Sequence, residues 1–402
     1  MRSRKFIVVA ALTLVIGMVP LGSGQALAAG VTRWVNASAA TFTPPGTSCD
    51  HPGYKKIQDA VNAAASGDKI NVCPGTYAEQ VNIATPAKNN ITLRSVKPLA
   101  AIIKAPSVMA DPGDIVRVNG AQDVTLREFT ISGPLPDAEF CSLLSRTGVR
   151  VDGNGSATIL RNHITEIRSA NPALRGCQNG IAILVGRHFE GQVGSATIRE
   201  NLIDKYQKNG PTVDNAGSRA TISDNVIIGI GPTPDIAQNG MQISRGAVAD
   251  VRSNRVSDNT YSLAPADSAS GILLFDPGAG TVIMENEALR NDDNIVLDTT
   301  SGAKIAQNRS LDSTSFDGID VSSTSTNNRI TENFLRRNKE FDCRDDSVGT
   351  QTAGTANFWI DNDGVTQNKP GLCRPHGDEQ QGGNDQQGGN DQHGDHRHDK
   401  AD

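Results

Sequence analysis

The sequence predicts an all-β fold, a right-handed parallel β-helix (solenoid) of stacked coils closed by an N-terminal capping helix. Three observations predict it. A tetrapeptide x-Asn-x-apolar recurs at Arg161-Asn162-His163-Ile164, Glu200-Asn201-Leu202-Ile203, Asp224-Asn225-Val226-Ile227 and Ser253-Asn254-Arg255-Val256, with looser copies at Asn286, Asn308 and Asn333. A second element, usually Gly then apolar-x-apolar, alternates with it, as in Gly148-Val149-Arg150-Val151, Gly180-Ile181-Ala182-Ile183, Gly240-Met241-Gln242-Ile243 and Gly318-Ile319-Asp320-Val321. The two recur together in coils of roughly 22 to 32 residues, a solenoid period.

Period-2 alternation over such short runs means strands with one face buried. Gly gives the positive φ of a corner, and Asn tolerates the left-handed region there. Stacked turns place the asparagines in a side-chain ladder. A propeller or a leucine-rich array is excluded, because neither a Trp-Asp period nor an L-x-x-L-x-L frame is present. At the N-terminal end, Ile57, Ala60, Val61 and Ala64 share one face of a helix over 54–64, read as the cap. Residues 67–77 follow as the first strand and turn.

The segment 1–28 reads as a signal peptide. Arg2, Arg4 and Lys5 precede the apolar run Phe6 to Leu21, and Ala26-Leu27-Ala28 supplies a cleavage site. Its removal changes the formal charge from −6 to −9, a balance that favours solubility and disfavours nucleic acid as a partner. No later segment is apolar enough to span a bilayer. Residues 29–375 are then the β-helix domain. Residues 376–402, with two copies of Gln-Gly-Gly-Asn-Asp-Gln, have no apolar content to bury and read as a disordered tail. The mature chain is expected to be secreted and monomeric. Its cysteines are expected as disulfides between sequence neighbours: Cys49–Cys73, Cys141–Cys177 and Cys343–Cys373. The first and last would staple the ends of the solenoid.

Ile57-Gln58-Asp59-Ala60-Val61, Ser66-Gly67-Asp68 and Pro74-Gly75-Thr76-Tyr77, with the Asn-Gly-Ile and Glu-Asn-x-Ile coils, resemble the pectin-lyase-like β-helix superfamily over about residues 48 to 373. That resemblance implies the fold and a polysaccharide as substrate or ligand. It does not name one chemistry, because the superfamily holds lyases, hydrolases, esterases, epimerases, phage tailspikes and non-catalytic surface proteins. Gly-His-Gly, Arg-Ile-Lys, Gly-x-x-Asp-Phe-Ile-Phe and Asp-Pro-His-Asp, the motifs of several of those enzymes, are absent.

The repeat itself points to one face. Aligning the Gly-led strands puts Arg117, Arg150, Ala182, Thr212, Gln242, Leu273, Val296 and Asp320 in one outward column. Asn119, Asp152, Leu184, Asp214, Ser244, Phe275, Asp298 and Ser322 form a second. Long insertions at 133–146, 168–178, 229–238 and 258–269 precede this strand and should wall it into a groove. A uronate lyase needs a base for the α-proton and a cation for the carboxylate. Arg117 and Arg150 are the expected base, with solvent-facing Asp152, Asp214 and Gln242 as substrate-binding residues. Asp292, Asp293, Asp298 and Asp320, near Asp317, are the expected oxygen ligands of Ca²⁺. Two readings stand: a secreted protein that acts on an extracellular polysaccharide, lyase-like, and a non-catalytic β-helix that binds glycan or lies on the cell surface. The first is the leading reading, although aromatic residues are only 4% of the chain, few for a glycan-stacking platform, which counts against an enzyme.

Overall fold

A computed structural model of the chain describes residues 30–375 apart from 85, 137–140, 142–144 and 265–266. The expected signal peptide and the expected tail lie outside the described residues.

The chain winds through three sheets in which every strand pairs in parallel with those of the coils before and after it. A 12-stranded sheet runs from Thr32–Val35 to Phe358–Ile360. One 10-stranded sheet runs from Gly75–Ala78 to Phe334–Arg336 and follows the Asn turn. The other, from Val81–Ala84 to Cys343–Asp345, holds the Gly-led strands and is called the groove sheet below. The period-2 pattern dictates the core. In the 12-stranded sheet Leu126, Ile159, Ile198, Ile222, Val251 and Ile283 lie one above the next, all buried. Each contributes about 1.5–3 kcal/mol by leaving water. Among the described residues, no helix is long and apolar enough to cross a membrane.

The asparagine ladder is present and buried. Each backbone N–H of Asn162, Asn201, Asn225, Asn254, Asn286, Asn308 and Asn333 donates to the Oδ1 of the next asparagine, ending at Asn362, at 2.9–3.1 Å. Each side-chain Nδ2 donates to that same Oδ1 at 2.8–3.1 Å. The left-handed conformation expected at Asn belongs instead to the residue before it: Arg161, Glu200, Asp224 and Ser253 have φ of 53–58°. The reason is directional. The Asn amide must point inward along the stack, so the chain reverses one residue earlier, where the side chain can project outward.

The first strand is Thr32–Val35 rather than a segment after residue 67, and Lys69–Val72 pairs against it. The helix spans Ile57–Ala63, shorter than expected, because Tyr54 is drawn into a parallel bridge with Val35. Ile57, Ala60 and Val61 are buried against Thr32–Val35, Lys69–Val72 and Val81–Ala84. Its free N-terminal groups are satisfied from a distance: Ile57 N and Gln58 N each donate to the Glu79 carboxylate at 2.9 Å. The three expected disulfides form, with Cα–Cα separations of 5.7, 5.0 and 6.3 Å in chain order.

Candidate functional site

The expected columns hold on the groove sheet except in one coil. Arg117 stacks on Arg150 and Asn119 on Asp152, and Thr212 stacks on Gln242 and Asp214 on Ser244. Between them, Leu184 rather than Ala182 lies between Arg150 and Thr212. The slip comes from treating all the glycines as equivalent. Gly180 is a corner residue with φ +79°, whereas Gly148 and Gly210 lie within their strands. A Cβ on either would sit 2.7 or 2.1 Å from the carbonyl of the next coil. Ala182 shares their column, and Gly186, not Leu184, occupies the column of Asp152 and Asp214.

Arg150 and Asp152 are not at the surface, as expected, but 0% exposed. Arg150 Nε lies 2.7 Å from Asp152 Oδ2, its Nη2 lies 2.5 Å from Glu190 Oε2, and its Nη1 lies 3.9 Å from Asp114 Oδ2. Arg117 grips Asp152 from the previous coil with two bonds of 2.9 and 2.7 Å. Although burial works the other way, hydrogen bonding to Arg150 holds Glu190 below the usual carboxylate range. Burial pushes Asp114 up to about 6 despite the attraction of Arg150. An arginine so paired has no vacancy for a proton, so neither Arg117 nor Arg150 is placed to act as a base. Arg150 instead fixes Glu190, and through it the short 3-10 turn His188–Glu190, against the sheet.

That turn completes a cleft. The insertions stack as walls: Leu135 bridges Ser169, Thr233 bridges Tyr261, and Cys141–Cys177 ties the first two together. Opposite them stands the turn after strand Ile181–Val185. Between lies a cleft of about 500 Å³ lined by Arg187, Phe189, Lys208, Thr212, Gln242 and Arg245, among others. Phe189 is 59% exposed, with the Arg187 and Arg245 guanidinium carbons 5.1 and 5.0 Å from its ring centroid. Arg245 also lies 5.4 Å from the ring of Phe275. Asp214 lines the cleft but is 1% exposed, a second correction to the expected solvent-facing column. It accepts from Ser244 Oγ at 2.8 Å, Arg245 Nη1 at 3.0 Å and His188 N at 2.8 Å. Gln242 is half-buried on the floor, accepting from Asn209 Nδ2 at 3.0 Å. Lys208 donates to Ala237 O at 2.6 Å, and burial lowers its pKa. Burial likewise lowers that of Arg187.

The sequence reading missed Arg187, Phe189, Lys208, Glu190 and Arg245. Arg187, Phe189 and Glu190 belong to an insertion that follows the Gly-led strand, whereas only the insertions preceding it were considered. Its signal was the unusually polar run Arg187-His188-Phe189-Glu190 between two apolar strands.

The expected Ca²⁺ ligands separate into two groups. Asp293, Asp317 and Asp320 each bring an oxygen within 4.8 Å of one another. Asp292 turns away and accepts from Tyr261 N, Ala269 N, Thr314 Oγ1 and Ser315 Oγ. Asp298 accepts from Thr299 Oγ1. Burial, with the Asp320 and Asp317 charges, pushes Asp293 up to about 8. Burial and Asp320 push Asp317 up to about 7, and burial pushes Asp320 up to about 6 against the pull of Arg344. Arg344 Nη1 lies 3.4 Å from Asp317 and its Nε 3.8 Å from Asp320. Three carboxylates with one adjacent guanidinium have the donor chemistry of a hard divalent cation site.

Residues 182–373 match the family described as right handed beta helix region. Among curated proteins, none matches the sequence. Among solved structures, the pectate lyase Pel9A superposes with a TM-score of 0.50 at 13% identity, over 73% of this chain and 78% of its own. The Dettilon tailspike protein does so with a TM-score of 0.45 at 13% identity, over 82% and 68%. An alginate lyase from Paenibacillus sp. str. FPU-7 gives a TM-score of 0.38 at 16% identity, over 69% and 91%. At these identities the likeness is one of fold.

Proposed function

We propose that this chain, a right-handed parallel β-helix protein, binds an acidic extracellular polysaccharide in the cleft between the Cys141–Cys177 wall and the His188–Glu190 turn. One observation carries the reading. Arg187 and Arg245 flank an exposed aromatic ring there, and, among the described residues, the carboxylate lining the cleft, Asp214, is spent on three donors. A carboxylated sugar would meet guanidinium forks, and its ring face would lie on Phe189. Three disulfides in one chain support a place outside the cell, as a secreted monomer. Ca²⁺ belongs to the same proposal, held by Asp293, Asp317 and Asp320.

Electrophoresis through gels containing polygalacturonate, alginate or neutral dextran tests the reading. The acidic gels should retard the protein, salt and Arg245→Ala should relieve the retardation, and dextran should have no effect. Equal mobility in all three gels would rule the reading out.

A second reading, lyase chemistry, is favoured by Lys208. Its amine lines the cleft, burial lowers its pKa, and an amine so placed is the kind of group that can take an α-proton. The base expected at Arg117 or Arg150 therefore moves to Lys208. Absorbance of unsaturated products, present in the parent and lost in Lys208→Met with binding retained, distinguishes catalysis from binding alone.

A further inference from the structure

A different sheet carries a second ordered array. On the outer face of the 12-stranded sheet, Thr92, Thr125, Thr158, Thr197 and Thr221 stand in register on five consecutive coils. None of their hydroxyls has a hydrogen-bond partner among the described residues. Valine would satisfy a strand's preference for β-branching as well, so the hydroxyls are the distinguishing feature. Ser156 and Ser195 stand beside them, and the face forms an open groove of about 450 Å³ across the middle coils.

Arginines border this ladder. Arg94, Arg127 and Arg199 occupy the column two residues further along their strands, with Leu160 between the last two. Arg252 continues that column beyond Ser223, and Arg219 lies on the other side of Thr221. Arg252 pairs with Asp250 and Arg199 with Glu200, each at 2.6 Å. Arg127 and Arg219 make no ion pair among the described residues. Asp123 and Asp250 also line the groove, Asp250 as the next residue of the threonine column, but the five arginines outnumber these two and Glu200. The face therefore carries spare positive charge beside a row of hydroxyls that repeats every 4.8 Å or so, the spacing of parallel strands.

We infer that this face is a second binding surface, whose occupant is a linear acidic polysaccharide laid along the solenoid axis. The match is one of period and charge. One sugar unit of an extended chain advances about as far as one coil, so each unit meets one threonine hydroxyl that can both donate and accept. Its carboxylates reach the bordering guanidinium groups. A row of identical hydroxyls cannot read one unit in detail, but it gains from length, because every added unit repeats the same contacts. The surface thus holds long polymer while the cleft holds a short stretch. The choice of ligand class rests on the proposed function; the location does not.

The test uses the full-length protein in gels containing polygalacturonate or alginate. One variant changes the face, Thr158→Val with Thr197→Val and Arg219→Glu. One changes the cleft, Arg187→Ala with Arg245→Ala, and a third combines both. Arg219→Glu alone, at an exposed position, serves should the triple change unfold the sheet. The face changes should weaken retention by polymer about tenfold and leave the affinity for a uronate tetramer, measured by calorimetry, unaltered. Residual retention of the cleft variant should vanish in the combined variant. Loss from the cleft changes alone would overturn the second surface and keep the cleft. Loss from the face changes alone would keep the surface and overturn the cleft. A parent protein retarded by neither polymer would overturn both.

Discussion

Two regions of the groove sheet solve the same problem in opposite ways. Around Arg150, the buried carboxylates of Asp114 and Asp152 and the half-buried one of Glu190 face two arginines that reach them within the stack. Around Asp293, three carboxylates share one arginine at longer range. The first region has two guanidinium groups for its three carboxylates and pairs two of those carboxylates at 2.5–2.7 Å. The second is left with excess negative charge that burial turns into affinity for protons. Stacking coils at a fixed spacing brings like groups together whether or not they suit one another. What differs is whether a loop supplies the counter-charge, as the turn bearing Glu190 completes the first cluster.

The largest effect should come from breaking the paired region. Arg150→Ala leaves Asp114 buried without its ion pair and removes one partner each from Asp152 and Glu190, and should destabilise the fold by about 3–5 kcal/mol, the usual penalty for orphaning a buried charge. Urea unfolding measures it, and a change below 1 kcal/mol would mean the network is open to water.

The second region should respond in the other direction. The carboxyls of Asp293, Asp317 and Asp320 have folded pKa values raised to about 8, 7 and 6, above an unfolded value near 4. The stability they contribute is therefore complete below about pH 4 and is lost as pH rises through about 6 to 8. Asp293→Asn should stabilise the protein at pH 8 by about 2 kcal/mol, with little effect at pH 4. Thermal melts at the two pH values decide it; destabilisation at both would show that the Asp293 bond to Asp317 N outweighs the charge.

Ca²⁺ should do at pH 8 what a proton does at lower pH. A millimolar addition should raise stability by about 1–2 kcal/mol for a site half filled well below that concentration. The gain should disappear in Asp317→Asn. An equal gain in parent and variant would place the ion elsewhere. Smallest in energy, Arg245→Ala should cost about 1–2 kcal/mol in binding of an acidic oligosaccharide. It should leave the melting temperature within a few degrees, because Asp214 keeps its bonds from Ser244 and His188. Affinity unchanged by calorimetry would remove Arg245 from the site.

Much of the fold was legible because it repeats. The Asn turns, the alternating strands, the walls and the disulfide pairs all follow from patterns seen many times in the chain. The site was legible only as a face. Gln242 and Asp214 were placed at the cleft by counting along strands, but the burial of Asp214 depends on His188 and Arg245, which no count reveals. The burial of Arg150 depends on Glu190, 40 residues away, on a turn that occurs once. The slip at Ala182 has the same root: a glycine used for a corner and a glycine used for close packing look alike in one dimension.

The asparagine ladder has a further consequence, for how such a chain can change its length. Each rung sends its backbone N–H and one Nδ2 hydrogen from Asn162 toward Asn362, accepts at Oδ1 from the rung before, and gives its other Nδ2 hydrogen to a strand carbonyl of the preceding coil. Removing or duplicating one whole coil between two rungs leaves donors and acceptors matched. Adding one residue inside a strand inverts the side chains beyond it and breaks the chain of bonds. The solenoid can therefore grow or shrink by whole turns, while the corners away from the ladder accept insertions of any size. That freedom lies at the corners that carry the walls and the His188–Glu190 turn, so the lining of the cleft can change without renegotiating the scaffold.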